Sequence, residues 1–211
     1  IEVEGQMDFD KNMRKDAKIK VDDKEMAGYH HLGEARKARA GGNQELYKKE
    51  LSLASAALNQ ATKEQKNNPF AGVKYAEVLE EQGKHKMALE VLYPMLEGGG
   101  TPAQGADVRM WCGDLFLKVP DEKGAAPGAT NKDKALVQYQ KASEAAVYDR
   151  SVHETLKQKF EGLGRADLAK AEGEWIADFD KKQEAVSARE EAERKKLEEQ
   201  KNAPKPDKAN E

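Results

Sequence analysis

Residues 69–97 read PFAGVKYAEVLEEQGKHKMALEVLYPMLE, and this stretch decides the fold. Asn68-Pro69 is a helix start, because the asparagine oxygen takes a free helix N–H and proline has none to leave unpaired. Tyr75, Ala76 and Leu79 belong to the first helix, and Gly83 makes the turn, since glycine enters the left-handed region without a Cβ penalty. Ala88, Leu92 and Met95 follow at steps of four and three, which return to one face of a second helix and form a buried stripe. Helices packed at the close end of the usual separation of about 8–10 Å need small side chains where they cross. Ala76 and Ala88 supply them. Pro94 removes a hydrogen bond to the Glu90 carbonyl, so the second helix is expected to kink or stop near Tyr93.

The same pattern recurs on both sides. The strings Ala54-x3-Leu58-x2-Ala61, Ala88-x3-Leu92-x2-Met95, Ala135-x3-Tyr139-x2-Ala142 and Ala169-x3-Gly173-x2-Ile176 place their leading alanines 34, 47 and 34 residues apart. A period near 34 marks stacked two-helix units. Upstream, Asp22 or Asp23 caps a helix to about Ala40, Gly41-Gly42 ends it, and Asn43 caps a second helix through Leu46, Leu51, Ala54, Leu58 and Ala61. Downstream, Thr101 as cap and Pro102 at the first helical position start a helix through Trp111, Cys112, Gly113, Phe116 and Leu117, which Pro120 ends. The loop 121–130 accounts for most of the stretched spacing, and Asn131 caps the partner helix carrying Ala135, Tyr139, Ala142 and Ala146. Ser151 and Glu154 have capping-box spacing and open the last pair, with Leu156 and Phe160 before the turn at Gly164 and Leu168, Ala169 and Ile176 after it.

Over residues 43–180 these motifs resemble the tetratricopeptide repeat, with the unit at 69–97 matching best and residues 22–66 forming a divergent first repeat. Departures from the family pattern are the missing helix-ending proline, Pro94 within the second helix, and Trp111 two residues before Gly113 instead of four. The resemblance implies an all-α fold, a right-handed stack of antiparallel helix pairs closed at its C-terminal end by Trp175, Ile176 and Phe179. It also implies a non-catalytic role in holding other proteins.

Both ends of the chain differ from the repeats. Residues 1–21 alternate apolar positions (Ile1-x-Val3, Met7-x-Phe9, Ile19-x-Val21) among charged clusters and are expected to form an extended or hairpin arm. The repeat domain is expected over 22–180. From 181 to 201 the helix is polar all round, supported by the i,i+4 pairs Glu190–Arg194 and Glu191–Lys195, and 202–211 reads as a disordered tail.

Composition narrows the role. With 36% of residues charged and 6% aromatic, and a mean hydropathy of −0.91, the chain suits slender helices with wide solvated faces. No run approaches the ~18 apolar residues of a membrane span. A net charge of −3 argues against nucleic acid as partner. The single Cys112 rules out an internal disulfide. The chain opens on Ile1 rather than Met, compatible with a removed leader or a trimmed clone, and an exported or periplasmic location is the weakly favoured expectation.

Chemical sites read poorly. His30 and His31 are neighbours on a helix and point ~100° apart, and His30 with Glu34 supplies two of the three or four ligands a metal needs, so neither metal nor cofactor is expected. Cys112 becomes a catalytic thiolate only if His85 or His153 approaches it, and its repeat position favours a packed thiol. Gly98-Gly99-Gly100 lacks the Gly-Lys-Ser/Thr ending of a phosphate loop.

The resemblance points instead to a concave face made by the first helix of each pair. Carried over by register, it comprises Phe70, Val73, Glu77, Glu80 and Glu81, then Asp107, Met110, Asp114 and Leu117, then Glu154, Gln158 and Glu161. These positions are acidic with apolar spots, which suits a partner segment bearing Lys or Arg and an apolar anchor. Three roles follow in order: a scaffold or accessory subunit of a larger assembly, docking through the repeat surface and terminal extensions; an adaptor gripping a basic, apolar peptide; and a thiol enzyme using Cys112.

Overall fold

The computed structural model describes residues 22–65, 68–97 and 105–202, with side chains to 198. The expected arm at 1–21, the Thr101-Pro102 start, the glycines 98–100 and the tail from 203 lie outside the described residues. Among the described residues there are eight helices and no strand: α1 (Asp23–Ala40), α2 (Gln44–Glu64), α3 (Pro69–Glu81), α4 (His85–Glu97), α5 (Ala106–Lys118), α6 (Asn131–Ala145), α7 (Arg150–Gly162) and α8 (Ala166–Asn202). The chain divides into two compact units, one ending at Val147 and one beginning at Tyr148. In the first, each helix from α1 to α6 packs on the next, and α1 also touches α3; in the second, α7 packs on α8.

The leading alanines lie where the spacing puts them. Ala54, Ala88 and Ala135 are fully buried, as are Ala76, Leu58, Leu92 and Tyr139 in the core of the first unit, and Ala169 is 4% exposed. Gly113 permits a close approach: a Cβ built there would lie 2.4 Å from Cε1 of the Tyr139 ring. The turn signals hold as well. Gly83 and Gly164 adopt φ of 74° and 73°, and in both the following amide donates back to the carbonyl five residues earlier, Lys84 to Leu79 and Arg165 to Phe160, each at 2.8 Å.

Caps at Asp22, Asn43 and Asn68 are present, with their side chains accepting from the first-turn amides. Asn68 also donates through Nδ2 to the buried Glu25 carboxylate at 2.8 Å, so a single side chain starts α3 and ties it to α1. Elsewhere the start signals move. Thr130, not Asn131, caps α6, in a capping box with Asp133; Asn131 instead donates its amide to the Val119 and Pro120 carbonyls and closes the preceding loop. Asp149, not Ser151, caps α7, accepting from Ser151 N and Val152 N, while Glu154 pairs with Arg150. An aspartate placed one residue before the helix offers two acceptor oxygens to free amides, and a serine one turn-position later is already inside.

Pro94 does not stop α4, which continues to Glu97. Pro94 and Glu90 are both exposed, so the ring and the carbonyl it deprives of a partner face water, while Leu92 and Leu96 anchor the other side. Met95 is half-buried, and Leu96 takes the deep position. Leu46, in the first turn of α2, is 40% exposed. In the second unit the polar helix is no separate element: α8 runs unbroken from Ala166. Its bonded pairs include Arg189–Glu193 and Lys195–Glu191. His153 on α7 is buried, bonds through Nδ1 to Glu172 on α8 and stacks on Trp175, which stacks on Phe179.

Two glycine substitutions separate packing from propensity. Gly113→Ala is expected to destabilise the first unit by about 1–3 kcal/mol, since the Tyr139 ring has to move. Gly33→Ala, inside α1 with nothing within 4 Å of the new methyl, is expected to stabilise it by about 0.5–1 kcal/mol. Urea unfolding followed by circular dichroism reads both, and equal signs would refute this account. By the same assay Asn68→Ala is expected to cost about 1–3 kcal/mol, losing a cap and a partner of a buried carboxylate.

Candidate interaction surface

Two sets of bonds fix how α1 and α3 lie. Near their N-termini, Asp22 accepts from Gln65 at 2.9 Å and Glu25 accepts from Asn68; near their C-termini, Arg36 bonds to Glu77 and Glu81. The two helices therefore run in the same direction, as first helices of successive pairs. Glu81 also accepts from the Tyr47 hydroxyl of α2, and Glu77 from Lys74 at 2.8 Å. Burial works against the Arg36 charge, yet bonds to Glu81 and Glu77 hold its pKa above the ordinary value. Burial likewise pushes the Glu77 carboxyl up, but Lys74 and Arg36 outweigh it and keep it below the usual carboxylate value.

Glu80 joins α3 to α5, accepting from the Trp111 indole N–H and from Lys118. Between these helices lies an open depression of about 330 Å³ lined by Val73, Glu77, Glu80, Asp107, Val108 and Trp111. Val73, Val108 and the Trp111 ring give it apolar surface. Asp107, exposed in the first turn of α5, has no bonded partner among the described residues.

The structure thus brings together Val73, Glu77, Glu80 and Asp107, with Glu81 beside them. Phe70 is buried at 7% exposure, and Asp114 accepts from the Tyr139 hydroxyl at 2.6 Å. Met110 is half-buried and Leu117 exposed. Glu154, Gln158 and Glu161 stand on α7 in the second unit, where Glu154 bonds to Arg150 and Gln158 and Glu161 are exposed. Sequence reasoning missed the cations. Arg36 is 41 and 45 residues from its partners Glu77 and Glu81, too far for any local pattern, whereas Lys74–Glu77 at i,i+3 was readable. Trp111 was also legible, four residues beyond Asp107 and so on its face.

Likeness to known proteins is slight. No family model matches the chain, and no curated protein matches it. Among solved structures, a crystal structure of the MamA protein aligns at a TM-score of 0.48 and 15% identity, over 85% of this chain and 97% of that one. A second crystal structure of MamA aligns at a TM-score of 0.28 and 15% identity, over 72% and 96%. Likeness of this degree carries no argument about what the chain does.

The remaining candidates have structural occupations. His30 rests edge-on against His31, His31 bonds to Glu50 of α2 at 2.7 Å, and Glu34 bonds to Lys37. Among the described residues no group of three or more His, Cys, Asp or Glu is arranged to hold a metal, and no helix is long and apolar enough to cross a membrane. Cys112 is fully buried, and burial pushes its thiol up to about 12. His153 belongs to the other unit and is bonded to Glu172.

A thiol held neutral has a checkable signature. Because the folded pKa exceeds the unfolded value of about 8.5, folding keeps the proton on. The associated stability is present below pH ~8.5 and is lost as pH rises from there toward the folded value. Native protein at pH 8 is expected to leave Cys112 unalkylated by iodoacetamide, with full labelling after urea unfolding; fast labelling of the folded chain would contradict the burial.

Proposed function

We propose that this chain is a non-catalytic scaffold or accessory subunit for protein assembly, and that the α3–α5 depression is one of its docking surfaces. The carrying observation is the combination of Val73, Val108 and Trp111 with a carboxylate, Asp107, that has no bonded partner among the described residues. Glu77, Glu80 and Glu81 are already answered by Lys74, Arg36, Tyr47, Trp111 and Lys118, so the surface asks for one cation rather than a basic run. The occupant is an extended protein segment with a Lys or Arg near Asp107 and an apolar side chain against Trp111. Tryptophan is a favoured anchor at interfaces because a large ring buries area at small entropic cost.

The depression is open and shallow, which suits a chain passing over it better than a small molecule that must be enclosed. The other terminal elements remain proposed docking extensions of the same scaffold. Native pull-down with mass spectrometry would name the partners. An array of peptides with one basic and one or two apolar residues would test the surface directly. Asp107→Lys is expected to weaken the bound peptides about tenfold with an unchanged helical spectrum, by placing like charges together. Unchanged binding would remove the depression from the docking surface and leave the scaffold reading to the pull-down.

A further inference from the structure

We propose that the second unit is a dimerisation module, in which the groove between α7 and α8 receives α8 of a second copy of this chain. The surface is separate from the α3–α5 depression, and the inference stands whether or not a foreign segment docks there. Two observations carry it.

The first is an open seat. α7 runs antiparallel to α8, with Arg150 bonded to Asp180 near one end and His153 bonded to Glu172 a turn or two further along. Glu172 and Trp175 belong to the face of α8 that α7 covers. The adjoining face carries Ala169, Gly173 and Ala177 at steps of four, and with Lys157 and Glu161 of α7 it lines an open groove of about 490 Å³. In the first unit Gly28 and Gly113 are filled from within the chain, by Leu58 and by the Tyr139 ring. Gly173 is not. A Cβ built there would meet nothing nearer than Cε of Lys157 at 3.9 Å, so the fold of one copy does not require a residue this small, and a glycine inside a helix costs helix stability. Small residues in an i,i+4 row allow the matching row of another helix to approach closely, with the axes crossing at about −50°. Two α8 helices crossing at Gly173 then diverge beyond Ala177.

The second observation is charge, and it selects the occupant. Lys157 lays its stem along the level of Gly173, beside Glu174. Glu161 stands one turn further along α7 and, because the two helices are antiparallel, comes level with Ala169 and Lys170. The side chains of Lys157 and Glu161 have no bonded partner among the described residues. Lys170 and Glu174 share only a 3.5 Å pair on the surface, at 77% and 69% exposure. A two-fold axis along the groove lays α8 of the second copy against α8 and turns its Lys170–Glu174 edge toward α7. Glu174 of the second copy then meets Lys157, and Lys170 of the second copy meets Glu161. Symmetry repeats both contacts, giving four ion pairs in which every charge faces its opposite. A two-fold interface uses one patch twice, so agreement between the two edges of a single groove is the condition for self-association. The exposed pairs fix register and partner, while contact along the alanine and glycine row holds the copies together.

Sedimentation equilibrium of the full chain tests this. The expected mass rises with concentration from 23.4 kDa toward that of two chains; a mass that stays at one chain up to about 1 mM overturns the proposal. Gly173→Leu meets open space in the single copy and is expected to keep the helical spectrum while raising the dimer dissociation constant about a hundredfold. An unchanged constant overturns the proposal. Two charge-swapped chains check the pairing without touching the glycine. One carries Lys157→Glu with Glu161→Lys, and the other Lys170→Glu with Glu174→Lys. Each alone places like charges together and is expected to remain a single chain at concentrations where the unaltered protein is dimeric, whereas an equal mixture restores all four pairs and dimerises. Dimers of either variant alone, or none in the mixture, overturn the proposal.

Discussion

Close approach between helix backbones, at positions where no side chain intrudes, is the constraint from which the rest of this structure follows. Ala54, Ala76, Ala88 and Ala135 are fully buried, Gly113 faces the Tyr139 ring, and Gly28 faces Leu58 closely enough that a Cβ would lie 2.4 Å from its Cγ. Short separations let first helices of successive pairs come near enough for single side chains to bridge them. Arg36 reaches two carboxylates on α3, and Trp111 reaches Glu80 from α5. With bulkier residues at the crossings those bridges would open and the depression between α3 and α5 would lose its walls.

Polar bonds then set register rather than supply bulk stability. Glu25, wholly buried, is bonded to Tyr29 and Asn68. A buried carboxylate gains little over an apolar pair but penalises every arrangement in which its partners are absent. The result is that α1 cannot slide along α3 without orphaning a charge at one end and breaking the Arg36 fork at the other. Apolar stripes choose the face; the buried polar groups choose the position along it.

This division explains what could be read in the chain. Stripes and turns are local, repeating every three, four or seven residues, and Ala54, Ala88, Ala135 and Ala169 with Gly83 and Gly164 announced the pairs directly. The start was plainest where one candidate stood alone, as at Asn43; at 130–131 and 149–151 neighbouring polar residues competed, and the one just outside the helix won. The helix does not stop at Pro94 because the ring lies on the side that faces water, a tertiary fact. The acidic cast of the groove came from counting Glu77, Glu80 and Glu81, whereas, apart from the local Lys74–Glu77 pair, their bonds come from Arg36, Tyr47, Trp111 and Lys118, 31 to 45 positions away.

The last helix has a mechanical consequence. In the second unit α7 begins at Arg150, which bonds to Asp180, and among the described residues of that unit α8 continues for 22 residues past this contact. At 1.5 Å per residue that is a rod of about 33 Å, carried by its own ion pairs such as Lys182–Asp178, Arg189–Glu193 and Lys195–Glu191. A rod of this kind carries its far end a fixed distance from the helix pair. Its backbone hydrogen bonds make it stiff, and the exposed i,i+4 pairs add about 0.2–0.5 kcal/mol each, a contribution that weakens as ionic strength rises while the buried contacts at its base hold.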